Sequence, residues 1–218
     1  MYVERRDKIA AGAALDTAGK RAAFAWFFGP LHFLTVYGVA DALGLGTIPL
    51  GDIADLGCGT GVGGAALALA AGGKATVSGV DENRWVIEEA RWTFLQLGVQ
   101  GRARQQDLAT TKLPGAGAAI VAAYAINELA PSAQTTLLPS LIGAAKRGAR
   151  VLVVEPIAKR DRPYWDAWQQ AFVDAGGRYD EWRLPADLPP RLRLLDKAAG
   201  LRHDVLKARS LYLPGDTP

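Results

Sequence analysis

The chain has 218 residues, half of them hydrophobic and 22% charged, with a mean hydropathy of +0.06, which suits one domain with a large core and excludes wholesale disorder. A single cysteine, Cys58, excludes a disulfide framework and a cysteine-built metal centre, and two histidines, His32 and His203, argue against a histidine-built zinc site, so no metal is expected. The net charge of +3 is uneven: Lys and Arg against Asp and Glu count five to four over residues 1–50, six to eight over 51–145 and fourteen to ten over 146–218. A solvated surface of interspersed charge accounts for this, and a basic end that meets an anionic partner is the alternative. Met1 to Ala10 is too charged for a secretory signal, and no uninterrupted apolar run reaches the ~18–20 residues that span a bilayer. A soluble, cytoplasmic protein is expected.

Residues 1–44 read as helical. Ala10 to Ala14 is rich in the best helix former, and the aromatic stretch Phe24, Trp26, Phe27, Phe28 leads into Gly29-Pro30, which should break or kink the helix. A second helical run follows from Leu31 to Leu43, closed by Gly44, Gly46 and Pro49. From Asp52 the pattern changes to short apolar runs alternating with longer helical ones. Strands are expected at Ile53 to Leu56, Ala75 to Val80, Gly101 to Gln105, Ala118 to Ala123 and Val151 to Val154. Helices are expected at Val62 to Ala71, Glu82 to Leu97 and Gln134 to Ala145. The fourth and fifth strands lack polar residues, as strands covered on both faces should. Past Glu155 the pattern gives a helix over Tyr164 to Ala175, a strand over Tyr179 to Leu184, a helix over Arg191 to Ala199 and a last strand over Lys207 to Leu213. The alternation predicts an α/β fold: a doubly wound, mostly parallel sheet with helices on both faces. It divides into an N-terminal helical extension or lid (1–50) and the sheet domain (51–218).

The strongest motif is Asp55-Leu56-Gly57-Cys58-Gly59-Thr60-Gly61, which follows a strand and opens a helix. Glycines there let the backbone turn tightly and approach a ligand, and the helix start offers free N–H groups. Two nucleoside ligands compete. Gly59 to Gly64 fits G-x-G-x-x-G, the NAD(P) fingerprint of an oxidoreductase. Asp55 opposes it, because a carboxylate beside the loop repels a diphosphate but favours the ammonium and sulfonium of S-adenosylmethionine. On Asp55, Gly57, Gly59 and Gly61 the chain resembles the Rossmann-like S-adenosylmethionine-dependent methyltransferases. Asp81, twenty residues after Gly61, ends the second strand where a carboxylate can accept both ribose hydroxyls of either cofactor. The resemblance implies that it binds the ribose and that Asp107, within Gln106-Asp107-Leu108, sits on the adenine side. A cap is the alternative for Asp107, as for Glu82.

The fourth strand runs into Tyr124-Ala125-Ile126-Asn127-Glu128-Leu129. The resemblance implies that this segment lies beside the sulfonium. There Tyr124 can wall the methyl-transfer site and touch the cofactor, Asn127 can orient an acceptor, and Glu128 can act as a base if burial raises its pKa. Helix capping and a satisfied loop network are the alternatives for Asn127 and Glu128. No N/D-P-P-Y/F pattern is present, which weakens methylation of a planar amino group. The aromatics Trp26, Phe27, Phe28, Phe33 and Tyr37 can form a lid or simply core, and His32 among them is a candidate base, with a satisfied helix histidine as the alternative. Cys58 is explained by its small size, and His203 is expected at the surface.

Tyr124 to Leu129, Leu152 to Pro156 and Ala208 to Tyr212 also resemble a narrower group, the methyltransferase-like family of the mitochondrial small ribosomal subunit and its bacterial relatives. Some members hold an iron–sulfur cluster on cysteines, which one Cys cannot do. A late basic set, Lys159, Arg160, Arg162, Arg191, Arg193, Lys207 and Arg209, with Trp165, Trp168 and Trp182, gives an RNA-facing alternative. The function expected is therefore methyl transfer from S-adenosylmethionine to a small molecule or RNA. An NAD(P)-dependent oxidoreductase and a non-catalytic, cofactor-retaining ribosome assembly factor are its rivals.

Overall fold

The fold is seen in a computed structural model that describes residues 15–157 and 164–215. The expected strands form as β1 (Asp52–Leu56), β2 (Thr76–Asp81), β3 (Gly101–Gln105), β4 (Ala119–Ala123), β5 (Arg150–Glu155), β6 (Arg178–Pro185) and β7 (Val205–Leu213). They build one sheet in the order β3-β2-β1-β4-β5-β7-β6. The first five strands run parallel, and β7 is antiparallel to both β5 and β6. The apolar strands β4 and β5 lie inside the sheet, where both faces are covered. The strand order reverses between β1 and β4, so the segments leaving these two strands frame a crevice at their carboxyl ends.

The helices are α1 (Ala18–Ala23), α2 (Gly29–Ala42), α3 (Val62–Ala70), α4 (Arg84–Gln96), α5 (Pro131–Lys146), α6 (Trp165–Asp174) and α7 (Pro190–Ala198). Alternation along the strands splits the core. On one face Leu152 and Val154 pack with Val36, Val39, Ala65, Ala68, Ala90 and Phe94, from α2, α3 and α4. On the other, Val151 and Val153 pack with Leu137, Leu141, Trp165, Trp168 and Phe172, from α5 and α6. The helices before β1 therefore share the main core.

Gly29-Pro30 does not break the first helix. A π-helical turn over Phe24–Phe28 precedes it, with Gly29 N–H bonded to Phe24 O five residues back. The wider turn carries the chain past the proline ring without a break. The result is one helical run, Ala18–Ala42, of 25 residues, which by length and composition alone is apolar enough to cross a bilayer. Phe27, Leu31, Val36, Val39 and Ala40 bury one side of it against the domain. The helix over Ala10 to Ala14 lies outside the described residues.

Three further expectations change. Asn83, not Glu82, caps α4, its side chain accepting Trp85 N–H at 3.0 Å. The RNA-facing tryptophans are mostly interior: Trp165 and Trp168 are core, and half-buried Trp182 donates its Nε1–H to Ser210 Oγ at 2.8 Å. Arg209 is buried with its guanidinium 3.9 Å from the centre of the Trp165 ring. Large rings at helix spacing fill the space between α6 and the sheet, so they have no free face for a base. Lys159, Arg160 and Arg162 lie outside the described residues. His203 is half-buried, its Nδ1 paired with buried Asp196.

Candidate active site

Leu56 ends β1, and five residues turn the chain into α3. Gly57, Gly59 and Gly61 take φ of +64°, +51° and +78°, the left-handed region open to glycine. Gly57 has a second constraint, because a Cβ there would lie 2.6 Å from the Cβ of Ala125, on the segment leaving β4. The two segments framing the crevice thus meet backbone to methyl. Gly57→Ala should cost about 3 kcal/mol, from left-handed strain and overpacking together. Thermal unfolding of this variant should show a midpoint lower by roughly 6–12 °C, and an unchanged midpoint would contradict the packing described.

Three carboxyl groups surround this loop. Asp55 is 1% exposed, and its Oδ2 accepts the Gly64 N–H at 2.7 Å. A Cβ on Gly64 would lie 2.8 Å from that oxygen, so the glycine lets the helix start close on the carboxyl group. Asp55 therefore faces the α3 backbone and not the open side of the loop, where a direct ligand contact was expected. Asp81, half-buried at the end of β2, accepts Gly59 N–H on Oδ2 at 3.0 Å and Asn83 N–H on Oδ1 at 2.9 Å. Glu128 closes the short 3-10 turn Ile126–Glu128 after β4.

Burial raises the pKa of all three. It lifts Asp55 to about 7 against the Gly64 bond, with Asp81 adding repulsion. It also raises the Asp81 pKa from its ordinary value, against bonds from Asn83 and Gly59. Glu128 reaches solvent on one side, yet the protein on its other sides, with Asp81 second, lifts it to about 7. The sign for stability follows. Between its ordinary value of 3.8 and about 7, native Asp55 holds a proton that the unfolded chain has released. Its contribution therefore weakens as pH rises through that window and stays weak above it. Asp55→Asn cannot ionise, so its stability relative to the parent should be about 2 kcal/mol more favourable at pH 8 than at pH 5. Denaturant titrations at the two pH values check this, and a difference that does not move with pH would show that Asp55 ionises normally.

Beside the loop stands an aromatic wall. His32 stacks on Tyr124 with ring centres 3.7 Å apart and planes 10° from parallel. Phe24 meets His32 edge-on at 6.4 Å, and its ring carbons lie 3.5 Å from where a Gly59 Cβ would stand. Burial lowers the His32 pKa to about 4, so the imidazole is a packed, weakly basic ring, which favours the helix-histidine reading over the base. Tyr124 is the non-glycine residue with positive φ, +59°, among the described residues, a conformation that costs of order 1–3 kcal/mol. Asn127 is also committed within the protein. Its backbone N–H points to Glu155 Oε1 at 3.4 Å. With the amide turned so that Nδ2 meets its acceptors, the side chain donates to Glu155 Oε2 at 3.0 Å and to Tyr124 O at 3.1 Å.

The remaining candidates divide. Leu108 is buried with Cδ1 3.5 Å from the Gly57 Cβ position. Asp107 is exposed just before the 3-10 turn Leu108–Thr110, its carbonyl accepting the hydroxyls of Thr110 at 3.1 Å and Thr111 at 3.0 Å. Cys58 is buried against Gly79, and burial pushes its thiol pKa up. The buried Thr60 hydroxyl has no hydrogen-bond partner among the described residues. Sequence reasoning missed Phe24 as a loop contact, Glu155 as the acceptor for Asn127, and Gln134, whose Nε2 donates to Ile126 O at 2.8 Å and pins the turn that carries Glu128. The signal for Glu155 was one acid directly after the apolar run Val151 to Val154.

Residues 53–148 match the family model described as a methyltransferase domain. Among curated proteins nothing matches the chain. Among solved structures the chain is similar to magnesium protoporphyrin IX methyltransferase from Synechocystis, with bound S-adenosylmethionine. The identity is 17%, the TM-score 0.63, and the match covers 97% of this chain and 99% of that one. It is also similar to an O-methyltransferase family protein from Burkholderia thailandensis, at 16% identity and TM-score 0.65, covering 97% of this chain and 64% of that one. A third similarity is to the mitomycin 7-O-methyltransferase, at 15% identity and TM-score 0.60, covering 95% and 60%.

Proposed function

We propose that the chain, residues 53–148 of which match a methyltransferase-domain family model, is a Rossmann-like, S-adenosylmethionine-dependent methyltransferase and methylates a small molecule at the aromatic wall formed by Tyr124 and His32. The observation that carries the proposal is the pair of carboxyl groups, Asp81 and Glu128, flanking the glycine loop from the ends of β2 and β4. Their mutual repulsion, felt in the raised pKa of Glu128, is relieved by a cation between them and worsened by a diphosphate. The residues present thus fit a sulfonium nucleoside. Gly57, Gly59 and Gly61 give its backbone cradle, Asp81 its ribose contact and Leu108 an apolar contact on the side of Gly57. Asp107 stands on the adenine side as a solvent-facing contact. Asp55 serves indirectly by holding the start of α3.

When bound, S-adenosylmethionine supplies a methyl group on a leaving group that needs no assistance, so the protein's share is mainly positioning. Tyr124 and His32 form the wall against which an acceptor lies, and Glu128 takes the acceptor's proton. Asn127 acts through its bonds to Glu155 and Tyr124. Residues before β1 act as a lid, with Phe24 over Gly59.

Labelled S-adenosylmethionine, incubated with the protein and cell extract and then fractionated, tests the acceptor class. Label in the small-molecule fraction is expected. Label confined to RNA would overturn this acceptor class and favour the ribosomal alternative. A thermal shift by S-adenosylhomocysteine and none by NADH is expected alongside.

A further inference from the structure

Glu155 ends β5 fully buried, after four buried apolar residues. A carboxyl group so placed needs donors, and Asn127 brings two, its backbone N–H and its side-chain amide. The same amide reaches Tyr124 O at 3.1 Å. On its other side Tyr124 donates its own N–H to Val154 O at 2.8 Å. Both backbone polar groups of Tyr124 are thereby tied to the end of β5, one directly and one through Asn127. This is the residue whose left-handed φ directs its ring against His32. The register partner of Glu155 on β7 is Arg209, and facing residues of an antiparallel pair project to the same side. A buried cation therefore shares the face from which the Glu155 side chain projects.

We propose that Glu155 is a positioning residue for methyl transfer, its buried carboxyl group holding the Asn127 amide so that Asn127 clamps the Tyr124 carbonyl and fixes the Tyr124 ring against His32. The proposal rests on the reading of Tyr124 as a wall of the acceptor site. Asn127, by this account, is a strut between two strand ends and has no amide proton to spare for an acceptor.

The test uses the full chain and its two histidines. In the parent, the His32 ring stacks on the Tyr124 face, so its carbon-bound ring protons should resonate upfield, with Tyr124→Gly identifying the shift by removing the ring. Glu155→Gln turns an acceptor into a second amide facing Asn127, and Asn127→Asp keeps the shape while removing the donor. Each should move the His32 resonance downfield, toward its place in Tyr124→Gly, in protein that still unfolds cooperatively. A merely structural loss lowers the unfolding midpoint without moving that resonance. If Glu155→Gln fails to fold, the exposed Asn127→Asp decides. An unchanged His32 resonance in Asn127→Asp, or in a folded Glu155→Gln, would overturn the proposal. Titration with S-adenosylhomocysteine runs in parallel. Failure of the parent to bind it would count against the site reading and leave the resonance result standing.

Discussion

Glu128→Gln should lower the rate of label transfer to the acceptor about 100-fold or more, the span of a positioned general base, while S-adenosylhomocysteine binds within about threefold of the parent. The substitution keeps size and hydrogen-bonding capacity and removes the proton acceptor. The parent's pH profile should show the same group. With its pKa at about 7, Glu128 is mostly protonated on the acid side and mostly ionised above neutrality. Activity should therefore fall tenfold per pH unit below the midpoint and level off above it. A cation held between Asp81 and Glu128 favours the carboxylate, so the midpoint in the cofactor complex should sit at or below that value. In Glu128→Gln the acid limb should vanish. A variant that keeps its rate and its acid limb would remove Glu128 from the chemistry and leave positioning alone.

The sheet was legible because its signals are local. Unbroken apolar runs such as Ala119–Ala123 and Val151–Val154, separated by helical periods, point to buried parallel strands. The glycine loop was legible for the same reason, since three left-handed residues in five leave little choice but glycine. What could not be read was where side chains point once strands distant in sequence become neighbours. Asn127 was read either as orienting an acceptor or as part of a satisfied loop network, and its partner could not be read, because only the finished sheet sets β5 beside β4 and puts the Glu155 carboxyl group within its reach. Asp55 was expected to face the ligand, but it shares its strand face with Ile53, under α3, where the Gly64 N–H meets it. Tyr124 takes a backbone conformation that gave no warning, because a non-glycine residue there is strained and only the finished tertiary contacts hold it. Phe24 lies thirty-five positions before Gly59, and no local pattern joins them.

The second large effect is expected at Asp81. Its two oxygens join Gly59 of the loop to Asn83 at the head of α4, so one side chain sets the spacing between the β1 and β2 ends. Hydrogen bonds to a charged group contribute about 1.5–3 kcal/mol each. Asp81→Ala removes both and also deletes the proposed ribose contact. Affinity for S-adenosylhomocysteine should fall about 100-fold, near 2.7 kcal/mol, and the unfolding midpoint should drop with it. Asp81→Asn separates shape from charge: it keeps one acceptor oxygen near the loop and loses the anion. In this variant S-adenosylmethionine, with its sulfonium, should lose more affinity than the neutral thioether, because only the former gains from a negative field at the site. Calorimetric titration of both ligands against the three proteins provides the comparison. Equal losses for the two ligands would mean that Asp81 works only by holding Gly59 and Asn83 in place. Affinity within threefold of the parent in Asp81→Ala would remove it from cofactor binding altogether.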